Sequence, residues 1–570
     1  MKNIFNSKAG WIWLLLLLAG ISFLASVFHA RLDLTAEKRY TLSQPTRKLL
    51  RTLDQPVKIT LFLTGDMPAG FKKLANSASD MLHEFKETGR SNIQYNFEKP
   101  GEGLNDTLKQ LFLDSLNRLG LSPMNVKAQT KTGEGQDERF IYPGALVTYK
   151  DRAIAVDFLQ GQSSVNGINS LNNAEALLEY KLANAINKIT QDTLPLIGYL
   201  SGNGESLSYN VYDLINTIKT NYNFRILPVD NVAAIPAIFN ALLIVKPATP
   251  FSDQQKLKLD QYVMNGGKII WMIDNLYAEY DSLQRTQNDF IAFDRDLNLE
   301  DLLFKYGARI NLDLVEDINS DQMPSVIGSM GGKPQIQMVD WTYFPLLSSF
   351  NGNPIAKNLD YVVAQFPNSI DTVKAVGIKK TYLLTTSPYA KVLSSPVRVS
   401  WKTVQSKEDY SSFTKSNIPV AVLLEGKFSS IYTNRISAAM KDSLAFYKQP
   451  FVAANASDNK MIVISDGDIA LNAVSQKDGP LPMGKNMYTG YQYANKEFIL
   501  NCIEYMTDGT GILETRGKDY TVRLIDKKKL EEHRTKWQMI NIALPVVLII
   551  ITGAIYQYVR KNKYAKNING

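Results

Sequence analysis

Two short stretches of this sequence carry residue types suited to chemistry. Asp466-Gly467-Asp468 follows the apolar run Lys460-Met461-Ile462-Val463-Ile464-Ser465. Two carboxylates at the carboxyl end of a buried strand can coordinate a hard cation or exchange protons with a substrate. The same residues also cap helices and shape turns. Gly202-Asn203-Gly204-Glu205 follows a second apolar run, Leu196-Ile197-Gly198-Tyr199-Leu200, and precedes an amphipathic stretch over 211–220. Backbone N–H groups at a helix start can hold an anion, and glycines there equally make a tight turn with positive φ. The loop is neither Gly-x-Gly-x-x-Gly nor a Walker loop, so it lacks the signature of nucleotide binding. Gly202, Asn203, Gly204, Glu205, Asp466 and Asp468 are the candidate ligand-binding residues. No catalytic residue, metal ligand or cofactor is assigned.

Two shortages narrow the possible chemistry further. Cys502 is the single cysteine, so no disulfide forms within the chain. Of three histidines, His29 and His533 border apolar segments, which leaves His83 alone in the body of the chain. A Ser-His-Asp triad, a Cys-His dyad or a histidine-rich zinc site would have to be built around that one residue. His83 reads as an ordinary helix residue within Met81-Leu82-His83-Glu84-Phe85. The net charge of +8 is spread along 570 residues. There is no basic stripe with interleaved aromatics, so nucleic acid is not an expected partner.

The elements that must position these residues form two α/β units. In the first, a strand at 57–63, a helix at 71–87, a strand at 93–97 and a helix at 111–119 follow one another by periodicity. A strand opens at Phe140-Ile141-Tyr142, a hairpin turns at Lys150-Asp151, and a helix over 173–189 closes the unit. This is the element order of a thioredoxin-like domain (31–192), but without Cys-x-x-Cys it implies no redox activity. The second unit has near-continuous apolar strands at 196–200, 224–227, 241–245 and 268–274. Such runs suit a parallel sheet buried on both faces. Ser252 is placed to cap the helix that ends at Gly266-Gly267. The late strand 460–465 and a helix at 495–505 are expected to return to this same doubly wound sheet. The unit is therefore divided into 193–293 and 456–515, with 294–455 as a mixed insertion of short strand-like runs. Gly331-Gly332 reads as a flexible loop in it, and Trp341-Tyr343-Phe344-Pro345 as an apolar patch.

Both ends carry apolar segments long enough to cross a bilayer. The first, 10–29, has Trp11 and Trp13 near its start, where aromatic residues suit the interface. Phe28-His29-Ala30 is a poor cleavage site, so this segment is expected to remain as an anchor rather than leave as a signal peptide. The second, 537–558, contains Pro545, tolerable in a membrane helix as a kink. Arg560, Lys561 and Lys563 follow it and suit anionic head groups. Cytoplasmic termini and an extracytoplasmic body in the cytoplasmic (inner) membrane follow from that basic tail.

Nearly end to end, the chain resembles the gliding-motility-associated ABC transporter components of Bacteroidetes, the GldG family. The resemblance lies in Arg31-Leu32-Asp33-Leu34-Thr35-Ala36-Glu37-Lys38-Arg39-Tyr40-Thr41-Leu42-Ser43 and Glu138-Arg139-Phe140-Ile141-Tyr142-Pro143-Gly144-Ala145. It continues in Gly198-Tyr199-Leu200-Ser201-Gly202-Asn203-Gly204-Glu205, Leu297-Asn298-Leu299-Glu300-Asp301-Leu302-Leu303, Asn353-Pro354-Ile355 and Lys357-Asn358-Leu359-Asp360. It implies an auxiliary, periplasmic subunit that works with a separate permease and a separate cytoplasmic ATPase. The middle unit also resembles a class I glutamine-amidotransferase-like domain. That activity needs a cysteine at a strand-to-helix elbow with a histidine partner, and the region has neither there. The expectation is a non-enzymatic transport accessory. The alternatives are a membrane-anchored hydrolase using Asp466, Asp468 and Glu205, and a structural link within an envelope machine.

Overall fold

Ser43 opens the first described helix of the body, α1 (Gln44–Arg51), by accepting the Thr46 N–H, and Pro45 occupies its first turn. The computed structural model describes residues 15–20, 22, 41–65, 67–129, 136–160, 167–280, 283, 289–330, 333–350, 352–400, 410–446, 450–517 and 534–564. They fall into two units, one ending at Asp519 and one from Tyr520 to Gly570.

In the first unit β1 (Val57–Leu61), α2 (Ala69–Gly89), β2 (Ile93–Phe97) and α3 (Asp106–Arg118) come in that order. After them come β3 (Met124–Gln129), β4 (Gln136–Ile141), β5 (Gly144–Tyr149), β6 (Arg152–Asp157) and α4 (Gly167–Thr190). A four-stranded sheet has the order β2-β1-β5-β6, with β1 and β2 parallel and the other pairs antiparallel. Helix α3 begins earlier than the apolar pattern at 111–119 indicates, because Asn105 caps it by accepting the Leu108 N–H at 2.9 Å. Strand β3, unforeseen in the sequence, pairs with β4 as a separate hairpin. Its sequence MNVKAQ alternates apolar and polar residues, a period of two that would have marked it as a strand.

The second sheet begins at β7 (Leu196–Ser201), followed by α5 (Tyr212–Asn221), β8 (Asn223–Pro228), β9 (Ala241–Val245), α6 (Asp253–Met264) and β10 (Ile269–Met272). A capping box between Ser252 and Gln255 starts α6 at its expected place. The segment after β10 supplies β11 (Asp289–Ala292), α7 (Glu300–Tyr306), β12 (Ala308–Ile310), β13 (Asp313–Asp317), β14 (Ser320–Met330) and β15 (Lys333–Leu347). Then come β16 (Val362–Val363), β17 (Ile370–Thr372), β18 (Ile378–Thr385), β19 (Ala390–Ser394), β20 (Val397–Ser400), β21 (Pro419–Gly426) and α8 (Ala438–Phe446). Strand β22 (Asn459–Ile464) pairs in parallel with β10, the return read from the sequence, and α9 (Asn495–Thr507) follows it.

The seven strands lie in the order β18-β21-β22-β10-β9-β7-β8. Strands β22, β10, β9, β7 and β8 are parallel, while β21 runs antiparallel between β22 and β18. Two strands of the 294–455 segment thus extend the sheet. Along β9, Ala241, Leu243 and Val245 enter one core and Leu242 and Ile244 the opposite one. The first core also holds residues of α2, α4, α5 and α9, and the second those of α6 and α7. Each fully buried aliphatic side chain is worth about 1.5–3 kcal/mol, so this sandwich fixes where the strand ends point.

The second unit contains α10 (Arg534–Tyr564), with Pro545 inside it. Within Thr535–Asn562 an 18-residue stretch has a mean hydropathy of 2.3, and none of that stretch is buried. Among the described residues α10 is the one helix long and apolar enough to cross a membrane. The expected anchor over 10–29 lies mostly outside the described residues, which there are helical and exposed at 15–20.

Candidate functional site

The carboxyl ends of β7, β9, β10 and β22 meet in one place, each contributing a loop. Strand order reverses between β7 and β9, since β8 lies on one side of β7 and β9, β10 and β22 on the other. Such a switch point leaves a crevice in which open α/β sheets hold ligands.

The loop after β7 is the glycine-rich candidate. Gly202 and Gly204 both have positive φ, 138° and 80°. At Gly204 an added Cβ would lie 2.9 Å from the Ala248 Cβ, because the Asn203 carbonyl accepts the Ala248 N–H at 2.7 Å and the Thr249 N–H at 3.0 Å. Glu205 folds back so that its Oε2 accepts the Asn203 N–H at 2.8 Å. Burial raises the Glu205 carboxyl, against the pull of those backbone N–H groups. The loop is thus a self-capped turn pinned to the loop after β9.

The acidic candidate has a different environment. Asp466 is fully buried, and its two oxygens accept the N–H groups of Gln365 and Asp468, both at 2.7 Å. Burial, with the charges of Asp468 and Asp274 added, pushes it well above the ordinary carboxylate range. Asp468 faces Lys246 at the end of β9, and both its oxygens lie 2.7 Å from Nζ. The same Nζ lies 2.9 Å from Glu279 and 3.1 Å from Asp274. Asp274 also accepts the Gly467 N–H at 2.6 Å, which ties the end of β10 to the loop after β22. Arg295 completes the cluster: Nη2 donates to Glu279 at 2.5 Å, and the guanidinium stacks 4.5 Å from the Tyr277 ring centre.

Charge is the first property of this cluster. Burial works against the Lys246 ammonium, yet Asp274, Asp468 and Glu279 outweigh it and hold the lysine protonated well above its usual range. Burial pushes Asp468 up to about 7, with Lys246 pulling down and Asp274 and Glu279 pushing up. At Glu279 the effect of burial is outweighed by Lys246 and Arg295, which lower it. Oxygens of Asp274, Asp466 and Asp468 lie within 4.8 Å of one another, a spacing open to a cation, but the Lys246 ammonium sits against two of the three.

A cavity of about 570 Å³ opens over this cluster. Of the six sequence candidates, Gly204 and Asp468 line it; Gly202, Asn203, Glu205 and Asp466 do not. Lys246, Glu279, Arg295 and Asp321 line it too and were not singled out from the sequence. Lys246 and Asp274 directly follow apolar strands, so the strand-end position that flagged Asp466 would have flagged them as well. Tyr280 and Phe344 form an apolar side, their ring centres 5.9 Å apart, and the Tyr280 hydroxyl meets that of Tyr488 at 3.2 Å.

The segment that builds this sheet matches a known family. Residues 194–502, more than half of the chain, match the family described as an ABC-type uncharacterized transport system, auxiliary component. The chain belongs to that family. This ABC-transport auxiliary also matches a domain of unknown function over residues 36–148. A protein of Borreliella burgdorferi, described only as uncharacterized, is 21% identical over 429 residues, covering 73% of this chain and 76% of its own. Among solved structures, the mmIFT52 N-terminal domain aligns at 13% identity over 55% of this chain and 98% of its own, with a TM-score of 0.30. The exo-beta-1,4-mannosidase Op5Man5 from Opitutaceae bacterium strain TAV5 aligns at 10% identity over 76% and 51%, with a TM-score of 0.19. Both likenesses are too slight to assign a fold. The auxiliary's family match runs from just before β7 into α9, so it contains every strand whose end builds the cavity.

Proposed function

We propose that this protein is a non-enzymatic, extracytoplasmic auxiliary subunit of an ABC transporter, working with a separate permease and a cytoplasmic ATPase in a gliding-motility system. Segments 10–29 and 537–558 tether it to the cytoplasmic membrane, with the body in the periplasm. Residues 31–192 form a thioredoxin-like domain, and 193–293 with 456–515 an amidotransferase-like domain used for binding. Its ligand site, read in the sequence as Gly202, Asn203, Gly204, Glu205, Asp466 and Asp468, is the cavity at the β7/β9 switch point, which Gly204 and Asp468 line.

The observation that carries this reading is the cavity itself, at the switch point of a sheet built by the segment that matches the transport-auxiliary family. Against a hydrolase stands the engagement of its acids. Asp466 is buried on backbone N–H groups and Asp468 is gripped by Lys246. An Asp468 carboxyl raised to about 7 is the one feature that favours general acid–base work. Replacing Asp466 and Asp468 by Asn decides between the two: loss of a hydrolytic activity with assembly intact would favour the enzyme.

The deciding experiment is a mild-detergent pull-down of the full chain from its membrane, with mass spectrometry. Co-recovery of a permease and an ATPase is expected. Their absence, with the bait folded and membrane-inserted, would overturn the auxiliary reading.

A further inference from the structure

The three acids and three cations that line the cavity balance. Lys246 is shared among Asp274, Asp468 and Glu279, and Arg295 bonds Glu279 and the Leu276 carbonyl. Asp321 accepts from Asn486 and from the Tyr493 hydroxyl. The loops that build the cavity also carry seven large side chains, each between 37% and 69% exposed. Leu207 and Tyr209 follow the loop after β7. Tyr277 and Phe293 lie beside Arg295, their ring centres 5.0 Å apart. Val474, Met487 and Tyr488 line the cavity from the segment after β22. Hydrogen bonds join these three arcs into one rim. Asn472 donates from its side chain to the Tyr209 carbonyl at 2.9 Å and from its backbone to the Asn210 carbonyl at 2.7 Å, which links the first arc to the third. The Tyr277 hydroxyl reaches the carbonyl of Ala248, the neighbour of Gly204, at 3.4 Å and links the second to the first. The Tyr280 and Tyr488 hydroxyls close the ring.

We propose that the cavity and its rim are a docking site for a protein partner, an extracytoplasmic loop of the permease whose tip carries uncharged, apolar side chains and enters the cavity. The proposal rests on the reading of the protein as a transport auxiliary and names what its cavity receives. Tyrosine, phenylalanine and methionine are enriched where protein partners meet, and charge is depleted there. Together the seven side chains leave roughly 800 Å² in water, about what one partner buries in a standard interface. A charged tip would have to break a pair already made inside, whereas an uncharged one leaves the ion pairs intact. A second copy of this chain fits less well, because two concave mouths set face to face would leave both cavities unfilled. Of the two partners in the proposed complex, only the permease has a surface on the periplasmic side.

Photo-crosslinking of the full chain in its own membrane tests this, with p-benzoylphenylalanine placed at Tyr209, Phe293 or Tyr488, and at Val376 as a control. Val376 is 89% exposed and lies just before β18, at the other edge of the sheet from β7 and β8. The three rim positions are expected to cross-link to the permease, and the control is not. The double variant Tyr209→Asp, Phe293→Asp should cut the permease co-recovered in the pull-down at least tenfold, as the loss of central interface residues does. Both positions are exposed, and an unchanged urea midpoint verifies that the variant is folded. Permease recovered with the native chain, but neither cross-linked from the rim nor lost with the folded variant, would overturn the docking site and leave the auxiliary reading standing. Cross-links from the rim to a second copy of this chain would overturn it in favour of self-association. No permease recovered with the native chain would overturn the auxiliary reading, and the docking site with it.

Discussion

Gly467 lies so close to Lys246 that a Cβ built on it would sit 2.5 Å from the lysine Cβ and 2.9 Å from its Cα. The glycine has φ of −79°, which any residue can adopt, so the requirement is steric. Gly467→Ala should lower stability by roughly 1–3 kcal/mol, the usual cost of overpacking. The urea midpoint of the variant measures this, and an unshifted midpoint would mean the two loops can part freely.

Lys246 should be the costliest single residue of the cluster to lose. Lys246→Met leaves Asp274, Asp468 and Glu279 without their shared cation, and breaking a buried pair costs roughly 3–5 kcal/mol. Adding Asp468→Asn should restore part of that loss. A double-mutant cycle by denaturation shows the coupling, and strict additivity would count against a shared cation.

Asp468 also sets a pH dependence. Its carboxyl is raised to about 7 when folded, against about 3.9 for a free aspartate. The native state therefore holds a proton that the unfolded chain has released, so stability is full below about pH 4 and declines as pH rises to about 7. Asp468→Asn should flatten that slope between pH 5 and 7.5 in urea titrations. An equal slope in the variant would assign the effect to another group.

Burial of Cys502 makes membrane sidedness easy to read, since the native thiol is fully enclosed. In cells with a permeabilised outer membrane, an impermeant maleimide should label Ala36→Cys and Lys528→Cys and leave Lys566→Cys unlabelled. The reverse pattern would put the body in the cytoplasm.

The parallel strands were legible because burial on both faces makes them nearly continuous apolar runs, as in Ala241-Leu242-Leu243-Ile244-Val245. Ser252 was legible for a local reason, its reciprocal bond with Gln255 three residues on. The return of β22 was also foreseen. The extension of the sheet by β21 and β18 was not, because pairing partners such as Ala421 and Ile464 carry no mark of each other in sequence. The candidate site shows the same division. Asp468 and Gly204 stand out next to apolar runs, but the ion pair joining Lys246 to Asp468 spans 222 positions and exists only after the sheet closes.

Strand β22 lies between β10 and β21, yet it begins 187 positions after β10 ends, from 272 to 459. At roughly 5–20 residues per second of synthesis, β10 waits about 10–40 s for this neighbour. Until then one edge of an apolar strand stays open, a template for mispairing with other chains. The sheet and its charged pocket are therefore late products of biogenesis, and a nascent chain halted before residue 459 has neither.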